Sequence, residues 1–246
     1  MTFSILGHCS RSDQVGIAFT TVTLAGGGTS PFYSYGGDIV VVQAFGNQQC
    51  AVVGARALDE GCGEAAILRR MEDSDPDFRY RQVGIMPRDG KPFAVTGNMA
   101  RPWAGHNVGD DFVAMGNVLV GPQVVTAMAD AFCHQPDAPL ADRLLSAIEA
   151  GRDAGGQQAP NDERYDERSA LLRIIGDGPE RREQTALDLR IDMTRDAVSE
   201  MRRFYEIYRP VVARRSLRAR NPGDDKPTSI WEAENMMHNP PPPALK

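Results

Sequence analysis

The sequence of 246 residues lacks the grouped cysteines of a disulfide framework or a zinc site. Its four cysteines are scattered, and no two of them form a Cys-x-x-Cys pair. Histidine adjoins cysteine in His8-Cys9 and in Cys133-His134, but neighbouring side chains of a strand point to opposite faces. Buried cysteine otherwise behaves as a small apolar residue. We therefore expect neither disulfides nor a bound metal.

An excess of basic residues and a long apolar run are also missing. Lys and Arg total 27 against 33 Asp and Glu, a formal net charge of -6, whereas binding to nucleic-acid phosphates depends on clustered Lys and Arg. No stretch reaches the roughly 20 apolar residues that cross a bilayer, and the amino terminus lacks the pattern of a signal peptide. These absences predict a cytoplasmic protein without nucleic-acid or membrane partners.

The sequence contains no nucleotide-binding or serine-hydrolase motif. Neither Gly-x-Gly-x-x-Gly nor Gly-x-x-x-x-Gly-Lys-Ser/Thr occurs, so a nucleotide-binding fold of those types loses support. Gly-x-Ser-x-Gly is absent as well, which argues against a Ser-His-Asp hydrolase. We expect no cofactor.

Ample apolar material is present for a packed core, with 41% hydrophobic and 24% charged residues, as in an ordinary globular domain. Apolar and β-branched runs predict strands at 2–6, 14–23, 38–45, 80–86, 92–96, 111–120, 169–175 and 185–191. Helical spacing predicts two short helices within 51–70, one after Pro122, and others at 140–150 and about 196–214. Hairpins, then paired helices, then strands favour an α+β fold of antiparallel sheets covered by helices.

The composition changes near the carboxyl terminus. Beyond Arg218 the chain is rich in Asn, Pro, Asp and Lys, and it includes four consecutive prolines at 240–243. Such a segment buries too little apolar surface to become ordered. We predict a folded domain over 1–215 and a flexible Pro-rich tail over 216–246.

The amino terminus, Met1-Thr2, is a candidate chemical site. Removal of an initiator Met is expected when the next residue is small, and Thr2 would then carry a free α-amine. The hydroxyl of such a residue is the nucleophile and its own nitrogen is the general base, with a reference pKa of about 7.7 to 8.0. A strand that begins here would hold the nucleophile rigidly. The alternative is an ordinary strand residue, since Thr after Met is common.

Several short motifs occur in order over roughly residues 2–192. They include Thr2-Phe3-Ser4-Ile5, Val15-Gly16-Ile17-Ala18, Gln43-Ala44-Phe45, Arg81-Gln82-Val83-Gly84, Trp103-Ala104-Gly105-His106 and Gly116-Asn117. In this order they resemble the domain-of-unknown-function 1028 family, whose fold is that of the N-terminal-nucleophile hydrolases. The resemblance implies a four-layer αββα sandwich and cleavage of an amide or related C–N bond in a small-molecule substrate. It gives a reaction class and no particular substrate.

Six further side chains are candidates for the site. Asn117 is a candidate donor to a developing oxyanion, and His106, predicted in a loop, is a candidate for orienting substrate or relaying protons. The candidates for substrate binding are Gln43, Asn47, Asn98 and Trp103. Each candidate has a structural alternative: turn or cap bonding for the amides, backbone bonding for the histidine, and core packing for the tryptophan.

Two functions follow from this sequence. The first is a hydrolase that uses Thr2, in a protein predicted to form a homodimer because related sandwiches often do. The second is a small-molecule-binding or assembly protein that keeps the fold without catalysis. Retention of Met1 favours the second function, because a capped nitrogen cannot act as the base.

Overall fold

The structure of the protein is a computed structural model, which describes residues 1–158, 161, 163–176, 178 and 184–236. The strands are β1 Thr2–Cys9, β2 Gln14–Thr21, β3 Pro31–Tyr33, β4 Ile39–Ala44, β5 Arg81–Met86, β6 Phe93–Thr96, β7 Ala104–Val108, β8 Phe112–Asn117, β9 Ser169–Ile175 and β10 Thr185–Ile191. The helices are α1 Gln48–Asp59, α2 Glu64–Ser74, α3 Gln123–His134, α4 Leu140–Asp153, α5 Ala197–Arg220 and α6 Thr228–Asn235.

The named strands form two antiparallel sheets that pack face to face. The larger sheet has the order β10-β9-β2-β1-β8-β7, and the smaller has the order β3-β4-β5-β6. Apolar side chains of both sheets fill the space between them, among them Leu6, Ile17 and Met115 from the larger sheet and Val41 and Met86 from the smaller. This inner layer places β1 at the centre of the sandwich.

Helices cover both outer faces. Successive side chains of a strand point to opposite faces, so Phe3 of β1 points outward into a core that also holds Phe132 of α3 and Leu144 of α4. On the other side, Val40 of the smaller sheet packs against Met71 of α2 in a core that α1 also builds. The resulting four-layer αββα sandwich of antiparallel sheets confirms the predicted fold class.

Strand β7 was not predicted, and it changes the setting of His106. The structure places His106 on this edge strand, opposite Met115 of β8, and not in a loop. The segment Ala-Gly-His-Asn-Val has almost none of the apolar alternation that marks a strand. Its strand conformation depends on backbone pairing with β8, which local sequence does not reveal.

The described residues beyond 215 include the end of one helix and a second, short helix. Helix α5 continues to Arg220, and α6 follows. The buried Arg214 pairs with Asp225 at 2.7 Å and lies 4.7 Å over the Trp231 ring. The prolines at 240–243 lie outside the described residues, and the division into domain and tail stays a prediction.

Candidate active site at the amino terminus

Thr2 is the first residue of β1, at one end of the larger sheet. It pairs with Thr21 of β2 on one side and with Asn117 of β8 on the other. Residues directly opposite each other in an antiparallel pair share a face, so these three side chains lie together on the face toward the smaller sheet. Thr2 is 6% exposed, and its Oγ1 donates to Thr21 Oγ1 at 3.1 Å. This hydrogen bond therefore holds the Thr2 hydroxyl next to the Thr21 hydroxyl.

Met1 precedes this hydroxyl, and its carbonyl accepts a hydrogen bond of 2.6 Å from Thr21 Oγ1. Burial lowers the pKa of the Met1 amine below its usual value, and the positive charge of Arg101 lowers it further. Both causes disfavour the charged form of an amine. The amino terminus thus lies where a neutral nitrogen is favoured.

Two small cavities meet at Met1. One has a volume of about 170 Å³ and is lined by Thr2, Thr21 and Gln43, among others. The second, of about 80 Å³, is lined by Met1, Ala44, Phe45, Arg101, Asn117 and Val118. A larger cavity of about 520 Å³ lies beyond the other end of β4, and none of the predicted site residues lines it. We place the candidate site at the two cavities that touch the amino terminus.

The backbone on both sides of the smaller cavity is strained. Ala44 has φ 71° and Val118 has φ 55°, a left-handed conformation that is uncommon for residues other than Gly and a true outlier for a β-branched one. Ala44 ends β4, and Val118 follows the last residue of β8. The left-handed turn at Val118 also explains why β8 ends at Asn117 and does not run to Val120 as predicted. Strain of this kind concentrates at functional sites.

A buried polar network links the two sheets next to the amino terminus. Its centre is Gln82 of β5, which has no exposed surface. Gln82 Oε1 accepts from Gln43 Nε2 at 2.8 Å and from Asn117 Nδ2 at 3.1 Å. Gln82 Nε2 donates to the carbonyls of Gly105 and Gly116, at 3.0 and 2.9 Å. One side chain thereby fixes two predicted site residues from opposite sheets.

The network extends in two directions. Ser4 Oγ donates to Gln43 Oε1 at 2.8 Å. At the other end, Thr96 Oγ1 accepts from Gln82 Nε2 at 2.9 Å and lies 2.9 Å from His106 Nδ1. His106 is exposed, and the desolvation of its ring by neighbouring groups lowers the pKa of the imidazole. His106 thus reaches the site through Thr96 and does not line either cavity.

Three predicted substrate-binding residues are not brought to the cavities. Asn47 is the N-cap of α1, where its Oδ1 accepts from the amides of Gln49 and Cys50 at 3.0 and 3.3 Å and its Nδ2 donates to Asp75 at 2.7 Å. The other two are Asn98, exposed in a turn, and Trp103, packed against the core beneath α3 and α4. In the structure, Asn47 caps a helix and Trp103 packs against the core, which are the structural alternatives given for them above. A role in substrate binding stays a prediction for all three residues.

Three residues of the site were missed at the sequence level. Gln82 had a usable signal, because it is a polar residue beside the apolar run of β5. Thr21 had a weaker one, because the register of the first hairpin places it opposite Thr2. Arg101 had none, since an exposed arginine in a connecting segment resembles any solvated charge.

Within the parts of the chain that the structure describes, all four cysteines are free thiols. No group of three or more His, Cys, Asp or Glu side chains there is placed to hold a metal ion. None of the helices among those residues is both long enough and apolar enough to span a bilayer.

The αββα sandwich thus has its amino-terminal residues on β1, a central strand of the larger sheet. Residues 2–201 match the family model described as "Family of unknown function (DUF1028)", and the chain belongs to that family. A crystal structure of a DUF1028-family protein from Silicibacter pomeroyi is similar, with a TM-score of 0.73 and 25% sequence identity, over 84% of this chain and 85% of that one.

More distant solved structures match with lower scores. BPH of Thiobacillus denitrificans, in complex with epoxomicin, has a TM-score of 0.37 and 13% identity, over 73% of this chain and 100% of that one. Anbu from Hyphomicrobium sp. strain MC1 has a TM-score of 0.40 and 12% identity, over 92% of this chain and 98% of that one. No protein of curated function matches the sequence.

Proposed function

We propose that this protein is an N-terminal-nucleophile amidohydrolase that cleaves an amide or related C–N bond in a small molecule, with Thr2 as the nucleophile after removal of Met1. One observation carries the proposal: the Thr2 hydroxyl and the chain nitrogen beside it lie together at a cavity, on a central strand. A nucleophile held by a sheet keeps the orientation that attack on a carbonyl requires.

Thr2 alone supplies both the nucleophile and the base for the proposed reaction. Thr2 Oγ1 attacks the acyl carbon, and its proton passes to the α-amine. The amine then gives that proton to the leaving nitrogen as the C–N bond breaks, which leaves an ester on Thr2. Water hydrolyses the ester with the amine again as base, releases the carboxylic acid and restores the hydroxyl.

Asn117 is the proposed oxyanion donor. Its side-chain amide carries two protons, and the contact with Gln82 Oε1 at 3.1 Å uses one of them. Asn117 also pairs with Thr2 across the sheet and lines the smaller cavity. The second proton is therefore suited to the charge that develops beside Thr2.

Removal of Met1 is central to the proposal because Met1 lines both small cavities. Its loss would join them and free the Thr2 nitrogen. The two causes that lower the pKa of the Met1 amine, burial and the charge of Arg101, also act on a nitrogen one residue further in. Both causes would favour the neutral form of that nitrogen, which is the form that acts as a general base.

A removable fusion partner tests the need for a free amine while leaving the Thr2 side chain unchanged. Protein with the partner joined directly to Thr2 should be inactive toward a panel of small amides, and proteolytic release that leaves Thr2 first should switch on amine release. The same fusion with Thr2→Ala is the control and should stay inactive after release. Equal turnover before and after release would contradict the mechanism.

A non-catalytic binding protein is the second candidate. The hydrogen bond of 2.6 Å from Thr21 Oγ1 to the Met1 carbonyl favours it, because the retained residue is well accommodated. As part of the first proposal, we expect the protein to act on a small-molecule substrate, to form a homodimer and to be cytoplasmic. Sedimentation of the purified protein tests the dimer.

A further inference from the structure

Arg101 is the one charged side chain among the described residues that line the two cavities at Met1. It is exposed, and it makes no ion pair with any described residue. The protein as a whole is acidic, with a net charge of -6, and the nearby Arg81 is paired with Asp75 at 2.8 Å. Among the described residues, Arg101 is therefore a positive charge at the mouth of the site that no carboxylate neutralises.

Its position is supported by a stack of side chains. The Arg101 guanidinium lies 5.2 Å over the Phe45 ring, a distance at which a cation is attracted to an aromatic face. Arg81 Nη1 donates to the Phe45 carbonyl at 2.9 Å, and the Phe45 ring meets the Tyr80 ring edge-on at 5.6 Å. The platform that carries Arg101 is therefore fixed at several points, while 38% of Phe45 stays exposed.

We infer that Arg101 is an anion-binding residue of the Thr2 site and that the substrate is a small amide bearing a carboxylate. This inference rests on the proposed function. A guanidinium is planar and matches a carboxylate with two parallel hydrogen bonds, which an ammonium does not. The cavity linings hold no acidic side chain to compete for it or to repel the substrate. The same charge that favours a neutral amine would thus also select the substrate.

Binding to a catalytically dead protein tests the inference without relying on turnover. Thr2→Ala protein, verified by mass to begin at Ala, is titrated by calorimetry with N-acetylglycine and N-benzoylglycine and with the neutral carboxamide of each. With Arg101 present, at least one carboxylate should bind about 10- to 100-fold more tightly than its carboxamide, the range expected for a hydrogen-bonded charge pair. Arg101→Gln should abolish that preference, and Arg101→Lys should restore only part of it.

Arg79 provides the matched control. It is an exposed arginine 5.4 Å over the Tyr80 ring on the same rim, and it lines neither cavity. Arg79→Gln removes the same charge and should keep the preference. Equal affinity for both members of every pair, no binding of either carboxylate, or an unchanged preference in Arg101→Gln would overturn the inference. Intact preference without amide turnover in the Thr2 protein would instead remove the proposed hydrolase and leave the anion site.

Discussion

Thr2→Ala is expected to lower kcat/KM for amide hydrolysis by on the order of 10³-fold or more, the scale of loss when a covalent nucleophile is removed. Alanine keeps the strand, the α-amine and the removal of Met1, and it lacks only the attacking oxygen and the methyl group. The hydrogen bond to Thr21 Oγ1 is lost as well, at a cost in stability of about 1 kcal/mol. The measurement is amine release by both proteins at equal concentration of folded protein.

Thr2→Ser is the matched control for this loss. Serine retains the hydroxyl and the amine, so kcat/KM should stay within about tenfold of the parent value. A tenfold change corresponds to about 1.4 kcal/mol. Unchanged turnover in Thr2→Ala would assign the chemistry to another group. Equal loss in both variants would point to a requirement for the threonine methyl group and not for the nucleophile.

Gln82→Leu is expected to lower the free energy of unfolding by about 3–5 kcal/mol, because it removes the shared partner of several buried polar groups. The substitution leaves Gln43 Nε2, Asn117 Nδ2 and two backbone carbonyls without their partner between the sheets. Each buried group left unsatisfied costs about 1–3 kcal/mol. Urea denaturation of the full chain, at constant m-value, measures the change.

Gln49→Leu is the control for the same chemical change at an exposed position. Gln49 lies on the surface of the first turn of α1, where substitutions usually alter stability by about 0.5 kcal/mol or less. Similar effects of the two substitutions would show that Gln82 does not join the sheets energetically. Gln82→Met keeps the length of the side chain without the amide. Its loss of unfolding free energy should be close to that of Gln82→Leu and not to that of Gln49→Leu.

Much of the fold could be predicted from local sequence. The bounds of β9 and β10 agree with the predicted 169–175 and 185–191, because apolar and β-branched residues dominate the first and alternate along the second. Strand β7 and helix α6 could not be predicted in this way. Strand β7 depends on pairing with β8, and helix α6 comes directly after the segment in which Asp225 pairs with Arg214 of α5. Both arrangements are tertiary effects.

The residues of the candidate site also differ in whether local sequence predicts them. Thr2 follows from the chemistry of a chain end, and Gln43 and Asn117 follow from polar residues at strand ends. The hydrogen-bond partners of Gln82 and the position of Arg101 over Phe45 become visible only when the sheets are packed, because these partners lie on other strands or in the loop after β4. Sequence analysis therefore identified the proposed nucleophile and did not identify the side chains that surround it.

The proposed mechanism requires that the mature chain begin at Thr2 with a free amine. Intact-mass spectrometry of protein purified without a tag measures this directly, together with the mass of its amino-terminal peptide. We predict a chain shorter by Met1, with no group added to the Thr2 nitrogen. Full retention of Met1, or a modified nitrogen, in a preparation that hydrolyses amides would contradict the account.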